Sequence, residues 1–260
     1  MGAAIPRAVF MEQPQRAIVL SDLCKDYGAT AALSGVTLEV PRGSIFGYVG
    51  PNGAGKTTTI KILTGILAPT RGDAFVLGHD VKTQALAIKA AVGYVPESGA
   101  VFDKFSPAEY LTLIGRLHKL SDDVIADRVD SWLKRFGLDR QRNLALGELS
   151  KGMRQKVCWI SALLHEPEVL ILDEPLSGLD VEAVALTKTL MAELAQGGKT
   201  VLYSSHLMDV VSRVCSHVAV LHRGQIAASG TIEEVLAARG APSLEQALLA
   251  LAETSGAHDE

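Results

Sequence analysis

The 260-residue chain has only three cysteines, Cys24, Cys158 and Cys215, an odd number without C-x-x-C spacing. That argues against a disulfide framework or a thiolate metal site and predicts reduced core thiols in the cytosol. No apolar run approaches the roughly 18 residues of a membrane span. The N-terminus lacks the basic start and apolar core of a signal peptide, and Pro6 stands where a myristoylation signal wants Ser or Thr. The expectation is a soluble chain that meets a membrane only through a partner. Basic excess is missing as well: 25 Lys and Arg against 29 Asp and Glu give a net charge of -4, so no nucleic-acid partner is expected. Internal repeats and low-complexity tracts are absent.

What is present is a large apolar fraction, 48% against 21% charged. This predicts one large domain, or a domain carrying an inserted subdomain. Residues 1–16 show no periodicity and read as a flexible extension. "AIVLSDLCKDY" reads as a strand, and "LSGVTLEVPRG" alternates as a half-buried antiparallel strand. "SIFGYVG" and "EVLILDEP" are continuous apolar runs, the pattern of strands buried on both faces. "KTTTIKILTGIL" reads as a helix, "KTVLYSSH" as a strand with a short helix from His206, and "HVAVLHRGQIAASG" as two strands around Arg223-Gly224.

Between about 98 and 166 the signals are helical. Ser106, Pro107 and Glu109 form a capping box with proline at the first helical position. A second helix follows Ser121 and stops at Gly137, and a third starts at Ser150. "DVEAVALTKTLMAELAQGG" is a helix with a glycine stop, and Thr231/Glu234 and Ser243/Gln246 open two more near the C-terminus. The expected organisation is a sheet core over 17–97 and 167–230, a helical lobe over 98–166, and C-terminal helices and tail over 231–260. Strand-helix alternation in the core implies a mainly parallel sheet with helices on its faces.

Gly50-Pro51-Asn52-Gly53-Ala54-Gly55-Lys56-Thr57, followed by Thr58, matches the phosphate loop G-x-x-x-x-G-K-[ST]. Its glycines let backbone N–H groups curl around phosphate oxygens. Lys56 is placed for the β- and γ-phosphates and the Thr57 hydroxyl for Mg²⁺. A Gly-rich turn before a lysine is the plainer reading, but a buried strand before and a helix after are the context of the functional one. At the end of the second buried strand, Asp173 is a candidate magnesium carboxylate and Glu174 a candidate base for the attacking water. The helix start at Ser150-Lys151-Gly152 is a second candidate anion site, or simply a capped helix.

A phosphate loop, an Asp-Glu strand end and a Ser-x-Gly helix start in this chain resemble an ATP-binding-cassette (ABC) ATPase. Leu149-Ser150-Lys151-Gly152-Met153 is similar to the family signature LSGGQ. The resemblance, over about 17–235, implies a P-loop NTPase core of RecA type with an antiparallel β edge and an inserted helical lobe. It implies hydrolysis of ATP with Mg²⁺ by a homodimer packed head to tail. Each ATP would then meet the phosphate loop of one chain and Ser150 and Gly152 of the other. Tyr27 matches the aromatic that stacks on adenine, although it could be a core tyrosine. "LSGLD" matches the loop crossing between protomers, with Asp180 near the partner's phosphate loop. His206 matches the switch histidine at the γ-phosphate, where a lone histidine could otherwise be structural.

Two departures stand out. Glu97 occupies the position of the family's usual Gln, where it could still ligate Mg²⁺. Lys151 replaces a glycine and is expected to add positive charge near the partner's nucleotide. With the "SLEQALLAL" helix, both resemble the export-type branch. The resemblance implies a transporter subunit acting with a separate polytopic permease, cytoplasmic and peripheral at the inner face of the membrane. A soluble or regulatory ABC ATPase not engaged in transport is the alternative. Neither the long coiled coils of DNA-repair members nor the paired cassettes of translation members are present. Phe102, Phe105 and Tyr110 resemble the groove for a permease helix, or are plain core packing.

Overall fold

The structure is a computed structural model that describes residues 15–98 and 102–247. Apart from residues 15 and 16, the expected extension over 1–16 lies outside the described residues, as does the tail from 248.

The apolar runs become the inner strands of a six-stranded sheet. β1 (Arg16–Tyr27) and β2 (Thr30–Pro41) form a long hairpin, followed by β3 (Ile45–Val49) and α1 (Lys56–Leu63). β4 (Arg71–Val76), β5 (His79–Asp80), α2 (Ala85–Ala91) and β6 (Val92–Val95) come next. The helical block is α3 (Pro107–Leu117), α4 (Asp122–Arg135) and α5 (Lys151–Leu163). β7 (Val169–Asp173), α6 (Val181–Gln196), β8 (Thr200–Ser205), α7 (Met208–Val214), β9 (His217–His222), β10 (Gln225–Thr231) and α8 (Ile232–Arg239) complete the order.

The large sheet runs β10-β9-β3-β8-β7-β6, parallel except for the β9–β10 hairpin. The antiparallel edge expected from the sequence is thus only one strand of this sheet. The remaining antiparallel strands form a second sheet of their own, β2-β1-β4-β5.

Alternation within the apolar strands explains the layering. Val49, Leu170, Leu172, Val201 and Tyr203 face one buried cluster, which they share with Leu111, Val129 and Trp159 of the helical block. Phe46, Tyr48, Ile171 and Leu202 face the other, shared with α1 and the small sheet. Each strand therefore buries both faces, which is why it reads as an unbroken apolar run rather than an alternating one. Each fully buried Leu or Ile side chain contributes about 1.5–3 kcal/mol, so these two clusters fix the register of the strands.

The helix starts follow local chemistry. Ser106 and Glu109 close the expected capping box, and Ser150 and Thr231 accept from the backbone N–H groups of Met153 and Glu234. Ser121 precedes α4 without a side-chain cap. α1 stops earlier than its sequence suggests: Thr64 folds its hydroxyl back onto the Ile60 carbonyl, and Gly65 takes a left-handed conformation. α7 begins at Met208 rather than His206: Leu207, at its N-cap, has a non-helical backbone (ψ 88°), and its N–H donates to the Ser205 hydroxyl. Among the described residues no helix is long and apolar enough to cross a membrane.

Candidate active site

β3, β6, β7 and β8 run parallel, so their carboxyl ends lie along one edge of the sheet. That edge is where ligands bind in open α/β sheets. The phosphate loop follows β3, Glu97 follows β6, Asp173 ends β7 with Glu174 next, and His206 follows β8. Parallel pairing thus gathers residues that lie far apart in the chain. They line one cleft of about 400 Å³, together with Asn52, Gly53, Gly55, Lys56, Thr57 and Thr58. Ala32, from β2, and Ser177 also line it; Ala32 was not singled out by the sequence, and Ser177 was noted only as part of the LSGLD loop, with no place in this cleft.

The loop's glycines have steric reasons. A Cβ on Gly50 would stand 2.2 Å from the Leu221 carbonyl oxygen, and one on Gly55 2.6 Å from that of Ala32. Gly53 and Gly55 also adopt positive φ. Ala54 is buried, and its carbonyl accepts from the Gly224 N–H at 3.1 Å, which ties the loop to the β9–β10 turn. The Lys56 ammonium is drawn inside the loop. It donates to the carbonyls of Gly50 at 2.7 Å and Pro51 at 3.1 Å. Burial pushes its pKa down, while Glu174, Asp173 and Glu97 pull it back up.

Asp173 is buried, and its carboxyl pKa is raised, chiefly by desolvation; the nearby Thr57 hydroxyl acts the other way, and the Glu97 and Glu174 charges add to the rise. Glu174 takes a left-handed backbone conformation at φ 45°, held by its N–H donating to the Ser204 carbonyl at 3.1 Å. Such strain in a non-glycine residue is typical of functional positions. Its side chain is fixed from both oxygens. His206 Nδ1 lies 2.9 Å from Oε1, and the Ser205 hydroxyl donates to Oε2 at 3.3 Å. Because a carboxylate only accepts, Nδ1 carries the proton in this pair. His206 itself is exposed.

The donor set suits a hard cation. Thr57 offers a hydroxyl, and Asp173 and Glu97 offer carboxylates, all of them oxygen ligands. No group of three His, Cys, Asp or Glu among the described residues could hold a metal unaided. Mg²⁺ keeps several waters and takes oxygens from phosphates, so a partial set of protein oxygens is enough to hold it.

Tyr27, Ser150, Gly152 and Asp180 do not line this cleft. Tyr27 ends β1 half-exposed, with the Lys25 ammonium 5.5 Å from its ring centroid. Ser150 caps α5 at the exposed surface. Gly152 is forced by packing, since its Cβ would lie 2.5 Å from the Gly178 carbonyl oxygen. Asp180 caps α6 through the Ala183 N–H at 2.7 Å and pairs with Lys156 of α5 at 3.0 Å. Its pKa is lowered, first by the backbone hydrogen bond and then by Lys156. Lys151 reaches the Ser177 hydroxyl of its own chain at 3.3 Å.

A family model described as "ABC transporter" matches residues 33–177, more than half of the chain. The chain belongs to the ABC transporter family. It is 35% identical over 232 residues to the daunorubicin resistance ATP-binding protein DrrA3 of Streptomyces coeruleorubidus, covering 89% of this chain and 73% of that one. A solved "ATP binding subunit of ABC transporter" superimposes with a TM-score of 0.86 at 32% identity, over 91% of this chain and 99% of that one. The structure of cbiO1 from Clostridium perfringens, described as part of the ABC transporter complex cbiONQ, gives a TM-score of 0.73 at 29% identity, over 86% and 91%. The fold is therefore the P-loop cassette of an ABC ATPase, a family whose activity is ATP hydrolysis, and the chain is an ATP-binding subunit.

Proposed function

We propose that this cassette binds and hydrolyses MgATP as one of two identical subunits that drive a separate polytopic permease, in an exporter. The observation that carries the reading is the meeting of Lys56, Thr57, Asp173, Glu174 and His206 in one cleft that Ser150 and Gly152 do not line. One chain then supplies two half-sites, and a second copy in head-to-tail packing joins them.

In this reading the loop from Gly50 to Thr58 (Gly50, Pro51, Asn52, Gly53, Ala54, Gly55, Lys56, Thr57, Thr58) wraps the phosphates with backbone N–H groups. Lys56 leaves the Gly50 and Pro51 carbonyls for the β- and γ-phosphate oxygens. Thr57, Asp173 and Glu97 would hold Mg²⁺, which would supply positive charge against that of the phosphates. Glu174 orients the attacking water and accepts its proton at Oε1 or Oε2. His206 holds Glu174 through Nδ1–H and, as an imidazolium, would also donate from Nε2 to the γ-phosphate. Tyr27 stacks on adenine, which is worth about 1–3 kcal/mol. Ser150 and Gly152 receive the γ-phosphate of the partner's ATP at the α5 N-terminus, and Asp180 approaches the partner's phosphate loop. Sharing one phosphate between two chains makes closure depend on ATP and makes hydrolysis the release.

A groove of about 310 Å³ between the core and the helical block supports the permease reading. Ile66, Tyr94, Tyr110 and Ile114 line it, and the exposed apolar residues Phe102 and Leu117 belong to the same helical region. Phe102 contacts Phe105 and Tyr110, with ring centroids 5.7 and 6.4 Å apart. Through such a partner the chain would sit at the inner face of the membrane while remaining cytoplasmic. The test is a tagged pull-down from native membranes in mild detergent. A polytopic membrane protein in stoichiometric amount supports the proposal. Recovery only with ribosomes, DNA or soluble factors contradicts it and favours a soluble or regulatory ABC ATPase.

A further inference from the structure

The first three turns of α5 are fastened to the loop that follows Glu174. Lys151 Nζ donates to the Ser177 hydroxyl at 3.3 Å, and Lys156 pairs with Asp180 at 3.0 Å. Trp159 Nε1 reaches the Pro175 carbonyl at 3.4 Å. Backbone meets backbone where Gly152 faces the Gly178 carbonyl. The aliphatic stem of Lys151 lies over Gly178, with Cγ, Cδ and Cε 3.3–3.5 Å from where a Cβ would stand. Among these contacts only the Lys151 bond ends on a residue that lines the hydrolytic cleft, because Ser177 belongs to its wall. Lys151 is also the immediate neighbour of Ser150.

The geometry points to Lys151 as a positioning residue that links the two nucleotide sites of the dimer. One end is covalently part of the helix start that serves the partner's nucleotide. The other end holds the cleft wall of its own chain's nucleotide. A shift of Ser177 when the γ-phosphate arrives or leaves is thereby passed to Ser150, one residue from Lys151. A glycine at this position, as in the family signature, could not make the connection. The inference rests on the two-chain reading above, and its test separates the two.

The full chain is assayed for hydrolysis against MgATP concentration as wild type, K151M, K151R, S177A and K151M/S177A. K151M keeps the stem over Gly178 and removes the donor, and Lys151 is exposed, so folding is not at stake. Dimer formation by E174Q with saturating MgATP is measured alongside by size and mass in solution. E174Q is expected to dimerise, and the wild type to show a Hill coefficient above one, bounded by its two sites. K151M and S177A each bring that coefficient to one, the double variant matches the singles, and K151R retains cooperativity. A purely structural lysine would leave the Hill coefficient unmoved. If E174Q dimerises while K151M keeps the wild-type coefficient, or while the wild type is hyperbolic, the coupling role of Lys151 is overturned and the dimer stands. If E174Q stays monomeric, the two-chain reading falls, and the coupling with it.

Discussion

Glu174 and His206 meet directly, with His206 Nδ1 2.9 Å from Glu174 Oε1. The contact joins the end of one parallel strand to the end of its neighbour and fixes the carboxylate at a strained backbone position. It makes the acid and the histidine one unit in the cleft.

Glu174→Gln should bind ATP and hydrolyse it at least about tenfold slower, since a positioned general base is worth ~10²–10⁴-fold. Fluorescent-nucleotide binding and phosphate release check the two halves. Turnover at the wild-type rate would take Glu174 out of the mechanism.

His206→Ala should also slow hydrolysis while leaving nucleotide affinity within a few-fold. Glu174 then keeps only the Ser205 hydroxyl. In the Glu174→Gln background the same substitution should add little, because residues acting as a unit are not additive. Multiplicative losses in a double-mutant cycle would show that the 2.9 Å contact is incidental to the reaction.

Gly152→Ala places a methyl 2.5 Å from the Gly178 carbonyl oxygen, backbone against backbone. The expected loss is about 1–3 kcal/mol, the usual range for overpacking, read as a lower urea midpoint. Turnover should fall too, since the displaced loop carries Ser177 into the cleft. An unchanged midpoint and rate would mean that α5 and the loop are not in contact in solution.

His165 predicts a pH effect outside the cleft. Its ring stacks on His118 at 3.7 Å, and Nε2 meets the Val92 carbonyl at 3.2 Å. Burial first, then the His118, Lys199 and Arg128 charges, push its pKa down to about 4. The unfolded chain therefore takes up this proton near the ordinary value of 6.5, before the folded one does. Below that pH the unfolded state binds more protons, so stability falls as pH drops toward about 4 and levels off beneath it. His165→Gln should flatten this part of the profile of urea stability against pH. Parallel profiles for the two proteins would contradict the assignment.

Much of this was legible in the sequence. Val169–Asp173 and Ile45–Val49 are unbroken apolar runs because both faces are buried, and that burial is visible in composition alone. The caps at Ser106, Ser150 and Thr231 are local hydrogen bonds between residues three apart, so spacing reveals them. The antiparallel sheet was only half legible. β5 has two residues and follows a positive-φ turn at Leu77 and Gly78, too short for any periodicity to show. Ala32 in the cleft wall and the turn of Lys151 toward Ser177 depend on long-range packing that no local pattern encodes, and the LSGLD motif marks Ser177 without placing it in the wall.

In the proposed dimer a second copy of the chain completes each site. The most direct test is the solution mass of Glu174→Gln with and without saturating MgATP, repeated with Ser150→Arg added. The expected result is a dimer with MgATP, a monomer without it, and a monomer in both conditions once Ser150 is replaced. A Glu174→Gln protein that binds MgATP and stays monomeric would contradict it.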